Sequence, residues 1–153
     1  MIKKIQDADE TRYLYRAKRM DNGVWVEGNL IHAKKDYYIC ENPYECMKEY
    51  SSLNGQSYGY GGFKLVEPST ICQCTGLKDK NGKLIWENDI CDRKEKYPEI
   101  VKYHDGDWTL DYSYASNNES GFNYYNLKFY ITERNCVEVL GNIFDNPELL
   151  EQN

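Results

Sequence analysis

The stretch Ile71-Cys72-Gln73-Cys74-Thr75-Gly76-Leu77-Lys78-Asp79-Lys80-Asn81-Gly82-Lys83-Leu84-Ile85-Trp86-Glu87-Asn88-Asp89-Ile90-Cys91 decides how this chain is read. At its centre Asn81-Gly82 is a hairpin signal, because both residues tolerate the positive φ angles of a tight turn. Strands are expected on either side, over Ile71 to Cys74, Leu84 to Trp86 and Asp89 to Cys91. Gly76 and Gly82 supply backbone conformations that a Cβ penalises, while Asp79 and Asp89 are placed to accept nearby amides. Trp86 is expected to bury its ring. The segment therefore reads as architecture.

Toward the C-terminus the chain continues as short strands, expected over Ile100 to Tyr103, Trp108 to Tyr112, Leu127 to Ile131 and Val137 to Phe144. Asp105-Gly106 is a second hairpin signal, and strands at this spacing indicate a small barrel or sandwich. Asn146-Pro147 then opens a last helical turn, with Asn146 as its cap and Pro147 in its first position.

Toward the N-terminus Asp21-Asn22-Gly23 joins a strand over Arg12 to Ala17 to one over Val24 to Ile31. Another strand is expected at Tyr37 to Cys40, then a short helix from Pro43 to about Tyr50 capped by Asn42. The glycine-rich run from Asn54 to Gly62 reads as a loop before a strand at Phe63 to Val66. Glu67-Pro68-Ser69 marks the boundary between a β-rich N-terminal region, 1–70, with its hairpin and short helix, and a small β-barrel with a short C-terminal helix, 71–153.

With 153 residues, 41% of them hydrophobic, the chain is long enough to bury a core and falls outside the composition of disordered proteins. Fifteen tyrosines and three tryptophans favour strands. The net charge of −6 falls entirely in residues 71–153, a field that repels phosphate and argues against non-specific nucleic-acid binding. No apolar run is long enough to span a bilayer, and the first residues lack the apolar core of a secretion signal, so a cytoplasmic location without membrane association is expected. In that compartment the six cysteines are expected to be reduced, and the sequon Asn118-Glu119-Ser120 carries no glycan.

The quoted stretch resembles the central signature of the YopX family of phage and prophage proteins. Three further segments agree: Asp21 to Leu30 with the family's N-terminal hairpin, Val66-Glu67-Pro68-Ser69-Thr70 with its lead-in, and Gly141-Asn142-Ile143-Phe144-Asp145-Asn146-Pro147-Glu148-Leu149-Leu150 with its closing motif. Two departures stand out, Cys72-Gln73-Cys74 where the family has Gly-Gln-Tyr, and Asn88 and Cys91 in a family Glu-Gly-Asp-Ile-Val. Asn accepts left-handed backbone almost as Gly does, so Asn88 can keep the turn. The resemblance implies a phage-type accessory protein of a bacterial host cell, mainly β, whose C-terminal unit is a small SH3-like barrel. It implies no established activity. The signature residues are Gln73, Thr75, Gly76, Asp79, Asn81, Gly82, Trp86, Glu87, Asp89, Gly141, Asn142 and Pro147.

Each chemical reading meets a plainer one. Asp79 to Glu87 superficially resembles a calcium loop, but the glycine and glutamate fall at the wrong positions, and a hydrogen-bonded turn explains the acids. Cys72 and Cys74 share a strand face, yet with only His32 and His104 and no CxxC they read as structural thiols. His104 lacks an adjacent nucleophile and reads as a surface residue at a strand end. The pairs Asp105 with Asp107 and Glu87 with Asp89 look like acids on a solvated strand face. No catalytic residue, cofactor or metal is therefore assigned, leaving enzymatic activity as a distant third reading.

The expected role is a non-catalytic protein-binding or assembly module, a homo-oligomer with a possible phage or host protein partner. The alternative is a small nucleic-acid-binding barrel acting in phage replication or gene control. For that, Arg12, Arg16, Lys18 and Arg19 with Tyr58, Tyr60 and Phe63 would supply phosphate contact and base stacking.

Overall fold

A computed structural model describes residues 10–42, 62–115 and 123–151 of the chain. It is mainly β, with every strand pair antiparallel. Two compact units divide it, Met1–Gln73 and Cys74–Asn153. The expected helix from Pro43 to Tyr50 and the aromatic positions Tyr58 and Tyr60 lie outside the described residues.

In the first unit β1 (Tyr15–Lys18), β2 (Trp25–Ala33), β3 (Asp36–Cys40) and β4 (Phe63–Leu65) follow one another as neighbours. The Asp21-Asn22-Gly23 turn joins β1 to β2, with Gly23 at φ +69° and the Asn22 side chain accepting the Val24 amide at 3.0 Å. The expected strand over Arg12 to Ala17 starts later, because Glu10–Tyr13 form a turn of 3-10 helix. Beyond β4 the chain returns to β1 through a bridge between Arg19 and Val66, flanked by Met20 N to Leu65 O at 3.1 Å and Glu67 N to Lys18 O at 2.8 Å. The sheet thus curls round a core of Ala17, Val26, Ile39 and Val66, one residue from each strand or its immediate end. Cys40, expected to be a free thiol, is disulfide-bonded. A compartment argument says nothing about which thiols the chain brings within bonding distance.

Strand β5 (Cys72–Lys78) begins in the first unit, where Cys72 and Gln73 pair with β1, and its residues from Cys74 on belong to the second unit, where they pair with β6 (Leu84–Trp86). After these come β7 (Asp89–Asp92), β8 (Glu99–His104), β9 (Asp107–Asp111), β10 (Tyr124–Asn126), helix α1 (Leu127–Thr132) and β11 (Glu138–Asn142). Five of them form a sheet in the order β10-β9-β8-β7-β11. Its two ends do not pair, so the barrel expected here is not closed among the described residues. The three residues of β10 pass straight into α1, and the Val139 amide in β11 is taken by a side chain. Ile85, Cys91, Val101, Leu110, Leu127 and Val137 form the core, each large aliphatic side chain worth about 1.5–3 kcal/mol on burial.

One expected strand is a helix. Leu127 to Ile131 form most of α1, capped by Asn126, whose side chain accepts the Phe129 amide at 2.9 Å. Leu127, Tyr130 and Ile131 face the core at helical spacing, so a run of β-formers is captured by a cap and a buried face. At the C-terminus Pro147–Leu150 make a 3-10 turn with Asn146 at its N-cap position and Pro147 at its start, as expected, but the Asn146 side chain makes no capping bond. It instead accepts the Asn142 amide at 3.3 Å.

Candidate functional site

The signature hairpin is built around Asp79, which is 6% exposed. One carboxylate oxygen accepts the amides of Asn81 and Lys83, both at 2.9 Å, and the other accepts that of Val139 at 3.0 Å. Burial raises the Asp79 pKa, and those three amides more than offset it, leaving the carboxyl below its ordinary 3.8. Lys80 adds a backbone bond to Val137 O at 2.9 Å and an ion pair with Glu138. Gly82 sits at φ +82° with open space round it, so its requirement is conformational.

The rest of the signature meets the closing motif. In the ladder between β7 and β11, Asp89 stands opposite Asn142 and Ile90 opposite Gly141. Asp89, 1% exposed, accepts the Trp86 amide at 2.9 Å, and Asn88 holds φ +64° and accepts the Ile143 amide at 3.1 Å. Thr75 donates its hydroxyl to Ile85 O at 2.8 Å. Asn142 accepts the amides of Phe144 and Asp145, both at 3.0 Å, and Gly141 lies so close to Asn146 that a Cβ would meet its Oδ1 at 2.2 Å. Gln73 pairs with Tyr15, Trp86 is 3% exposed, Glu87 is half-buried and Pro147 is exposed. In this cluster the acids Asp79 and Asp89 are engaged with backbone amides. That is an arrangement for holding strands together.

Two other constellations come from the tertiary structure. Arg93 lies in the corner formed by the rings of Tyr125 and Tyr130, which stand edge-on to each other at 83°, 4.3 Å from each centroid and with its side chain 7% exposed. Its Nε donates to both oxygens of the 2% exposed Glu99 carboxylate at 2.8 and 3.0 Å, and Nη1 to Glu95 at 3.2 Å. Burial pushes the Glu99 pKa up against the pull of Arg93. Beside this box Phe129 meets Tyr130 edge-on, Tyr112 stacks on Tyr125, and Arg134 lies 5.9 Å over Phe129. Tyr125 and Phe129 remain 40% and 45% exposed. Nothing in the sequence joins Arg93 to Glu99, Tyr125 and Tyr130; strands β7 and β8, β10 and α1 bring them together.

His104, read from sequence as a surface residue, is half-buried and bonded through Nε2 to Asp111 at 2.9 Å, its ring stacked on Tyr124. Asp111 also accepts the Ser113 hydroxyl at 2.6 Å and its amide at 2.9 Å. Burial raises the Asp111 pKa, and the bonds from Ser113 and His104 with nearby Lys102 bring it below the ordinary value. The serine points at the carboxylate and not at the imidazole, so the trio lacks a nucleophile and base in contact.

In the first unit the cations over Trp25 are Arg16, 4.8 Å from the ring centroid, and Lys18, at 5.4 Å. Arg12 stacks on Tyr13, Arg19 pairs with Asp21, and Phe63 is half-buried in β4. The structure does not gather the three arginines on one ring, and the aromatic partner of Arg16 is a tryptophan that sequence reading had assigned only to a strand.

Among the described residues no three His, Cys, Asp or Glu side chains are disposed to hold a metal ion, and no helix is long and apolar enough to cross a membrane. Cys72, Cys74 and Cys91 are buried thiols, and desolvation pushes the Cys91 thiol well up. A family model described as YopX protein matches residues 14–151, nearly the whole chain. No curated protein matches it.

Proposed function

We propose, from the premise that this chain belongs to the YopX protein family, that it is a non-catalytic binding or assembly module encoded by a phage or prophage. It acts in the cytoplasm of the bacterial host through contacts with copies of itself or with a phage or host protein. One observation carries this reading: the aromatic face of the second unit, where Tyr125 and Phe129 stay exposed around a guanidinium. Exposed tyrosine, phenylalanine and arginine are the side chains that dominate protein interfaces. Asp79, Asp89 and Glu99, by contrast, are already committed to bonds within the fold. On this reading the second unit is an open relative of the small SH3-like barrel, a fold that hosts many functions. Light scattering across a concentration series, with affinity capture from host lysate, is the test. An oligomer or a stoichiometric partner is expected, and a strict monomer with no partner overturns the reading.

The second reading, nucleic-acid binding by the first unit, draws support from Arg16 and Lys18 held over Trp25. It predicts binding that falls steeply with salt and weakens in Arg16→Ala and Arg19→Ala. Fluorescence anisotropy with single- and double-stranded probes decides it, and absent or salt-independent binding removes it.

A further inference from the structure

Arg93 is an unusual group to find at the base of an exposed aromatic face. Its Nε and Nη1 serve Glu99 and Glu95, while Nη2 donates to no acceptor among the described residues, although the side chain is 7% exposed. The two tyrosine rings, edge-on to each other at 83°, form a corner that holds the guanidinium, and with its bonds to Glu99 and Glu95 this leaves the Nη2 edge pre-organised for a carboxylate at little further ordering cost. Next to it Phe129 presents an exposed ring, and Arg134 makes no ion pair among the described residues. A complementary ligand carries carboxylates beside aliphatic side chains.

The chain carries such a segment itself. In the closing turn Glu148 and Glu151 are exposed and make no ion pair among the described residues, and they flank the half-buried Leu149 and Leu150. Resting on the assembly reading above, we infer that the Arg93–Phe129–Arg134 face of one copy receives the Glu148-Leu149-Leu150-Glu151 turn of a second copy. The contact joins two different patches, so it closes as a reciprocal two-fold pair or, where the geometry forbids that, propagates head to tail into a ring or a filament. Its ionic part makes it weaken with added salt.

Sedimentation velocity on the full chain tests this, using reversals at exposed positions with thermal melts to confirm folding. Arg134→Glu alone, and Glu148→Arg with Glu151→Arg, are each expected to weaken association tenfold or more. Mixing the two variants is expected to restore a complex, because each then supplies the one intact patch the other needs. If the wild-type chain associates but neither reversal weakens it, this contact is wrong and the assembly reading stands on another surface. Association weakened by either reversal but unrestored on mixing also overturns the pairing. A wild-type monomer at every concentration overturns it together with self-assembly, leaving a foreign partner as the remaining form of that reading.

Discussion

The carboxylate of Asp79 accepts the amide of Val139 at 3.0 Å across sixty positions of sequence. The same side chain accepts two amides of its own turn, so one residue both shapes the hairpin and fastens β11. Its folded pKa lies below the ordinary 3.8, so its contribution to stability is fully present above the unfolded value and is lost as pH falls through the folded one. Thermal melts of the wild type and Asp79→Asn should therefore differ most above about pH 5 and converge in strong acid. A gap between them that is independent of pH would show that the charge of Asp79 does not matter to the fold.

Gly82→Val is expected to cost about 1 kcal/mol or more, because the position needs φ +82° and a β-branched residue fits that poorly, although no neighbour lies within 4 Å. Trp86→Ala, at a 3% exposed position, should cost roughly 3 kcal/mol or more by lost burial and the cavity left behind. Urea unfolding measures both. Wild-type midpoints combined with lost partner binding would make this segment a functional surface in place of a structural one.

Gly141→Ala should destabilise by about 1–3 kcal/mol, because its Cβ would lie 2.2 Å from the Asn146 side-chain oxygen. Shortening Asn146 removes the closest of those atoms. The double variant Gly141→Ala with Asn146→Ala should then lose less than the sum of the single losses, and strict additivity in a double-mutant cycle would contradict the contact.

Arg93→Leu leaves the buried Glu99 carboxylate without its partner and should cost about 3–5 kcal/mol. Adding Glu99→Leu should recover much of that, because two apolar residues leave no uncompensated charge. A double variant as unstable as Arg93→Leu alone would mean that the arginine matters for its tyrosine contacts and not for the ion pair.

Local chemistry made parts of this fold legible. The Asn22-Gly23 and Asn81-Gly82 turns, and the left-handed backbone at Asn88, follow from which residues tolerate positive φ. The two amides that Asp79 takes from its own turn belong to the same class. The strand expected at Leu127 to Ile131 failed because Leu-Lys-Phe-Tyr-Ile satisfies strand propensity, while the outcome rested on Asn126 as a cap and on a core that receives every third or fourth side chain.

Sequence by itself determined the class of structure, the turns and the family, because backbone preference and hydrophobic alternation act over a few residues and survive in a linear record. Only the tertiary structure decided that Asp79 fastens β11, that Val66 returns to Arg19 and curls the first sheet, and that Arg93 packs against both Tyr125 and Tyr130. It also decided that, among the described residues, the two ends of the second sheet do not pair with each other. Each joins residues far apart along the chain, where no local preference distinguishes the true partner from many others. Packing selects that partner, because a buried charge or amide without one costs several times what an ordinary hydrogen bond contributes.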